Sequence, residues 1–179
     1  MSLEVLLLPL GETNLRLLKW LQESLQERLI SQFPISPPIP LPKSGLNPQR
    51  NQYNSRVILN WLRFNQFSFP LLAVADVDLY SPGLNFVFGE AELGGKVAII
   101  SLARLNPTFY GLPSNELLLR DRTLKETTHE LGHLFGLRHC PNRLCVMHFS
   151  NTLTDTDQKG SIFCDQCERR LQLLLQRRN

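Results

Sequence analysis

The most constraining stretch of the chain is His129-Glu130-Leu131-Gly132-His133-Leu134-Phe135-Gly136-Leu137-Arg138-His139, which has the form H-E-x-x-H-x-x-G-x-x-H. On a helix, residues four apart lie about 40° apart around the axis and one turn apart along it. His129 and His133 therefore offer both imidazoles to one ion. Gly136 can take the left-handed conformation that ends a helix and reverses the chain, and His139 then returns as a third ligand. Three imidazoles with one open position describe a catalytic zinc site, not a closed structural one. Glu130 stands beside the ligands, placed to act on a water rather than to ligate.

A bare H-E-x-x-H is a weak signal, and its extension by Gly136 and His139 at fixed spacing makes it strong. Cys145-Val146-Met147-His148-Phe149 can form a turn that lays the Met147 thioether beneath the imidazoles as an apolar floor. Taken alone, Met147 would be ordinary core. Zinc lowers the pKa of its bound water from about 15.7 towards ~7. Glu130 is expected to take a proton as that water attacks a peptide carbonyl, with zinc stabilising the oxyanion, and then to deliver the proton to the leaving amine. His148 offers a fourth ligand or a proton donor, or a packing role, since three histidines already complete the set. Tyr110, in the loop before the motif helix, is a candidate phenol lining the cleft.

The four cysteines form a second constellation, Cys140 and Cys145 as C-x4-C and Cys164 and Cys167 as C-x-x-C. Four thiolates in two close pairs make a closed tetrahedral structural zinc site. Cys140 directly follows His139, so the two sites would share a wall. The cysteines would staple a C-terminal lobe with little helix or strand of its own. Two disulfides, free thiols or a redox pair at Cys164 and Cys167 are the alternatives, although no thioredoxin-like strand–helix pattern surrounds that pair.

The 179 residues can bury one full core, and with 42% apolar and 20% charged residues they describe a soluble globular protein. The net charge of +3 comes largely from Arg169, Arg170, Arg177 and Arg178. That fits a solvated helical end favoured by the helix dipole better than a nucleic-acid surface. No run of about 18 apolar residues spans a membrane. The N-terminus lacks a cationic lead, so its apolar run is expected to be a first strand and not a signal peptide. A cytoplasmic monomer is expected.

Leu3 to Leu8 predicts a strand buried on both faces. Residues 14–30 predict an amphipathic helix carrying Leu15, Leu17, Leu18, Leu21, Leu25 and Leu29. Six prolines between Pro34 and Pro48 allow an extended connection, with an edge strand at Ile35 or Ile39. Asn54 or Ser55 can cap a second helix carrying Val57, Leu59, Trp61, Leu62 and Phe64. Phe69 to Leu79 is a strand, with Asp76 and Asp78 either metal ligands or a strand end rising into solvent. Asn85 to Ala91 is a further strand, the edge expected to pair with an extended peptide. Gly94-Gly95 turns into Lys96 to Ser101. Residues 111–115 open the motif helix, which sets Leu117, Leu124, Leu131 and Phe135 on a core face opposite His129 and His133. Arg122, Lys125 and Glu126 continue its polar face, bordering cleft or solvent. After His139 come polar turns at Asn151, Thr152 and residues 154–157, then a last helix from Asp165 with Leu171, Leu174 and Leu175 inward.

The run H-E-L-G-H-L-F-G-L-R-H-C-x4-C-x-M followed by C-x-x-C resembles the archaemetzincins, a family of metzincin zinc peptidases. The likeness extends to Phe86–Lys96, Ser101–Leu105, Phe109–Pro113 and Arg50–Tyr53. It implies that His129, His133 and His139 bind the catalytic zinc, that Glu130 is the base and Met147 the methionine of the Met-turn. It also implies that Cys140, Cys145, Cys164 and Cys167 hold a structural zinc, giving two zinc ions per chain. The fold implied is metzincin-like α/β (α+β): a mixed, twisted sheet of about four to five strands with three helices, the third carrying the zinc motif. A small zinc-stapled C-terminal lobe with one helix follows. The whole chain, 1–179, would be a single catalytic domain with an upper part at 1–136 and a lower part at 137–179. Sixteen residues separate Met147 from Cys164 where the family pattern has about 17, a one-residue loop difference that costs little. Phe149 stands where astacin-type relatives place a zinc-binding tyrosine, and phenylalanine has no ligand atom. The function implied is a metallopeptidase, in one form an aminopeptidase on short peptides. A zinc-stabilised protein that binds peptides without turnover is the alternative. A zinc-ribbon nucleic-acid module is a third, for which the basic charge is too weak.

Overall fold

The computed structural model describes residues 3–29, 31–65 and 67–177. Met1, Ser2, Ile30 (the expected end of the first helix) and Arg178 of the arginine-rich tail lie outside the described residues. The central sheet holds β1 (Leu6–Leu10), β2 (Leu71–Ala75), β3 (Gly89–Ala91) and β4 (Val97–Ser101), in the order β1-β2-β4-β3. β1, β2 and β4 run parallel, with Leu8 beside Ala73 and Ala73 beside Ile99, whereas β3 runs antiparallel to β4. The helices are α1 (Leu15–Arg28), α2 (Ser55–Phe64), α3 (Glu116–Phe135), α4 (Leu153–Gln158) and α5 (Asp165–Gln176). Asn14, Asn54 and Asn115 cap α1, α2 and α3 by accepting from backbone N–H groups in each first turn.

The parallel strands are apolar on both faces because helices cover both. Leu7, Leu72, Val74, Ala98 and Ile100 pack into one core with α1 and α3. Leu8, Leu71, Ala73, Val97 and Ile99 pack into another with Ile58, Leu59 and Leu62 of α2. The first core also takes in Leu137, Val146, Met147 and Leu171, so the chain on either side of residue 136 shares it.

Two expected strands prove shorter because the chain changes partner. Phe69 to Leu79 pairs in the central sheet only as far as Ala75. Leu79–Tyr80 then joins a separate small sheet, with Leu79 beside Tyr53. Between them Asp78 is held by Arg104 (Nε to Oδ1 2.6 Å) and Gln52 (Nε2 to Oδ2 3.0 Å), while Asp76 is exposed. Neither joins a metal-ligating group. Asn85 to Ala91 pairs with β4 only from Gly89, because Val87 bridges Leu79 instead. Ile35 and Ile39 each make one parallel bridge to β1. No helix among the described residues is long and apolar enough to cross a membrane.

The largest departure concerns α3. Leu117, expected in the core, is 78% exposed, because the sheet covers only the later turns of the helix. Arg122 and Lys125, expected to border cleft or solvent, are buried and do not line the cleft, whereas Glu126 is buried but does line it. The cover is α4, wound by residues expected to be polar turns and started by a capping box between Thr152 and Asp155. Asp157 accepts two hydrogen bonds from the Arg122 guanidinium, both 2.7 Å, and its carbonyl accepts from Lys125 Nζ at 3.1 Å. Lys159 Nζ, fully buried, lies 2.9 Å from Glu126 Oε1 as an ion pair without aligned hydrogen-bond geometry. Asp157→Ala would leave the Arg122 guanidinium buried without its acid. A stability loss of about 1–3 kcal/mol is expected from urea unfolding.

Candidate metal centre and cleft

The site is assembled at the C-terminal end of α3. Gly136 takes φ +105° and its N–H caps the Gly132 and His133 carbonyls, the left-handed ending the motif requires. The chain then reverses and brings His139 back. His133 Nε2 lies 3.0 Å from His129 Nε2 and 3.2 Å from His139 Nε2, and the three histidines can hold one metal ion. His129 Nδ1 donates to the Val146 carbonyl at 2.7 Å, and His133 Nδ1 to the Leu137 carbonyl at 2.8 Å. Those bonds place the proton on Nδ1 and leave each Nε2 lone pair facing its neighbours. Burial, then the positive charges of Lys159 and His133, hold His129 well below its usual pKa. Burial also lowers His133 and brings His139 to about 4, so the imidazoles favour the neutral form that ligates.

Glu130 is buried beside them, and its Oε2 has no hydrogen-bond partner among the described residues. Burial, reinforced by the neighbouring Glu126 carboxylate, raises its pKa well above the usual carboxylate value. The edge strand β3 presses against it: a Cβ at Gly89 would sit 2.7 Å from Glu130 Cγ. Glu130 and the three histidines face a cavity of about 710 Å³, walled by β3 and the loop before it and by Arg138, Phe149 and Asn151. Phe86, Phe88 and Leu93 give it apolar surface. The Phe149 ring leans on His139 with centroids 4.9 Å apart.

Tyr110 is not among the residues lining this cavity. Its hydroxyl donates to the Arg104 carbonyl at 3.1 Å and its ring meets Phe109. His148 is not in the histidine group either; its Nδ1 donates to the Cys140 carbonyl at 2.9 Å. Met147 is fully buried beneath α3 against Gly132. The four cysteine sulfurs lie within 4.8 Å of one another, with no disulfide among them. The backbone N–H of Cys167 lowers the Cys164 thiol to about 7, whereas burial raises the Cys145 and Cys167 thiols above their usual value.

Sequence reasoning missed two groups around the site: Glu90, which lines the cavity, and Lys159, which stands behind Glu126. Glu126, expected to border cleft or solvent, lines the cavity as well. Glu126 precedes His129 by three residues, so helical spacing alone puts it on the ligand face. Glu90 accepts from Ser55 Oγ at 2.5 Å and pairs with Arg56 at 3.2 Å. No local signal marks Lys159, which lies in a stretch without periodicity.

Residues 46–173 match the family model for peptidase family M54. The chain belongs to that family. The archaemetzincin of Methanocaldococcus jannaschii is 45% identical over 172 residues, which cover 96% of this chain and 94% of that one. The crystal structure of archaemetzincin from Methanopyrus kandleri superposes with a TM-score of 0.86 at 35% identity, covering 98% of this chain and 96% of that one. That of the archaemetzincin from Archaeoglobus fulgidus, complexed with malonate, gives 0.82 at 37% identity, covering 94% and 99%. This M54 protein is therefore a zinc metallopeptidase. In it, a Cβ at Gly132 would collide with the sulfur of the fully buried Met147, which would have to shift. Gly132→Ala is expected to cost about 1–3 kcal/mol in thermal or chemical unfolding.

Proposed function

We propose that the chain hydrolyses peptide bonds, with His129, His133 and His139 holding a catalytic zinc, Glu130 as general base and acid, and the four cysteines holding a second, structural zinc. The observation that carries this reading is the buried Glu130 Oε2, without a partner, facing the same cavity as three converging Nε2 atoms. The donor sets fit the metal: three imidazoles whose Nε2 atoms face one another, and four sulfurs spaced for a tetrahedral cage. When bound, zinc supplies Lewis acidity, polarising the scissile carbonyl and lowering the pKa of water from ~15.7 to about 7.

Glu130 takes the proton of the attacking water at its unpartnered oxygen and returns it to the leaving amine. The low-dielectric wall around it strengthens both transfers. Val146 and Leu137 hold the imidazoles in the ligating tautomer through their carbonyls. β3, the terminal strand of the sheet, offers an extended substrate a backbone edge along the cavity. Phe149 and Met147 contribute apolar surface and no ligand, leaving the ligand set at three, while His148 orients the Cys140 carbonyl. Glu90 and Glu126, paired with Arg56 and Lys159, are the cavity carboxylates that would receive the ammonium group of a peptide N-terminus if the enzyme is an aminopeptidase acting on short peptides. We read the chain as a cytoplasmic monomer without nucleic-acid partners.

Glu130→Ala should retain zinc and lose turnover by at least about 100-fold. A peptide-library digestion read by mass spectrometry, with zinc content measured in parallel, checks this. Two zinc ions per chain without cleavage by the parent would favour the peptide-binding alternative. Blocking the peptide N-terminus by acetylation should abolish cleavage of otherwise identical substrates. Equal cleavage of blocked and free peptides would refute the aminopeptidase assignment.

A further inference from the structure

The histidine and cysteine groups are joined by a short path of hydrogen bonds. The His129 imidazole is oriented by the Val146 carbonyl at 2.7 Å. Val146 is fully buried and lies between Cys145 and Met147. Its own N–H donates to the Ile162 carbonyl at 3.0 Å, and Gly160 N donates to the Leu144 carbonyl at 3.0 Å. Residues 144–146 are thus stitched to the run that leads into Cys164, whose N–H points to Cys145 Sγ at 3.4 Å. From the other side, Cys140 N donates to the Met147 carbonyl at 2.9 Å. The backbone that presents the Val146 carbonyl is held on both sides by segments that end at cluster cysteines.

His133 has no such dependence. Its partner, the Leu137 carbonyl, belongs to the turn closing α3, where Leu137 N donates to the Gly132 carbonyl at 2.8 Å. α3 itself is fixed by the sheet and α1 through Leu124, Leu131 and Phe135. Of the two imidazoles on α3, only His129 takes its orientation from the cysteine lobe.

Building on the two-zinc reading above, we infer that the cysteine cluster, when it holds metal, positions the Val146 carbonyl and through it His129, so that filling the cysteine site tightens metal binding at the histidine site. The hydrogen-bond partner behind a ligating histidine typically sets metal affinity by about 10–100-fold. By linkage, metal at the histidines tightens the cysteine site by the same factor.

The test measures cobalt(II) affinity at the histidine site, by visible absorption with chelator competition, in the parent, Cys164→Ser and Gly160→Ala. Cys164→Ser breaks the cluster. Gly160→Ala keeps every ligand, but its Cβ would lie 2.7 Å from the Leu144 carbonyl oxygen and would part the two stitched segments. Hydrogen exchange at Leu71–Ala75 and Val97–Ser101 reports whether the central sheet is intact, and the NMR signal of the His129 Nδ1 proton reports its bond. Expected in both variants are about 10–100-fold weaker cobalt binding at the histidines, a shifted or lost His129 Nδ1 proton signal, and unchanged sheet protection. Parent-like affinity at the histidines with a weakened cysteine site overturns the coupling. Loss of sheet protection in both variants also overturns it, since the cluster would then hold the whole fold rather than one ligand. A parent that takes up cobalt at neither group overturns the metallopeptidase reading itself, and the coupling with it.

Discussion

The burial of α3 on both of its faces is the constraint to which the rest of the chain answers. An apolar face docks on the sheet through Leu124, Leu131 and Phe135. The other face carries Arg122, Lys125, Glu126, His129 and Glu130 out of water. Buried charges without partners cost several kcal/mol each. Most of the partners come from one short stretch: the Asp157 carboxylate for Arg122, the Asp157 carbonyl for Lys125, and Lys159 and Thr156 for Glu126, while Lys125 finds its acid, Asp121, one turn back on α3. His129 and Glu130 are left without charged partners of their own, and both are buried beside the cavity. A cation among the imidazoles answers both, since it favours neutral histidine and ionised glutamate at once. The polar face is thus divided along the helix, its first part neutralised by protein and its last part open to metal.

That division explains what was legible in the sequence. The histidine motif, the glycine ending and the cysteine pairs are local, and their spacing alone announces their geometry. The parallel strands were legible because burial on both faces leaves uninterrupted apolar runs such as Leu71–Ala75. The same periodicity hid other features. Arg122, Lys125 and Glu126 carry the pattern of a solvated face, and only a segment some thirty residues later reverses that meaning. Residues 153–158 have turn-forming composition and make a helix too short to show a period. Their helical state rests on the capping box and on docking to α3. Leu117 fits the core stripe by angle, yet it lies on the first turn, beyond the reach of the sheet. Tyr110 precedes the motif helix as a cleft-lining phenol would, but its hydroxyl bonds the Arg104 carbonyl and its ring meets Phe109.

The short edge strand follows from the same helix. β3 can be only as long as the distance over which it lies against both β4 and α3. At Gly89 the approach to Glu130 leaves no room for a side chain, so the strand meets the helix at the cavity-facing Glu130. Upstream, Val87 leaves the sheet to bridge Leu79, and the loop carrying Phe86 and Phe88 turns over the cavity instead of extending the strand. The switch of partners at residue 88 converts one end of a sheet into a wall. Phe88 still bonds the sheet, its carbonyl accepting from Ser101 N at 2.8 Å, while Phe86 lies beyond the pairing and adds its ring to the cavity wall. The site therefore depends on a strand that stops early as much as on a helix that ends on time at Gly136.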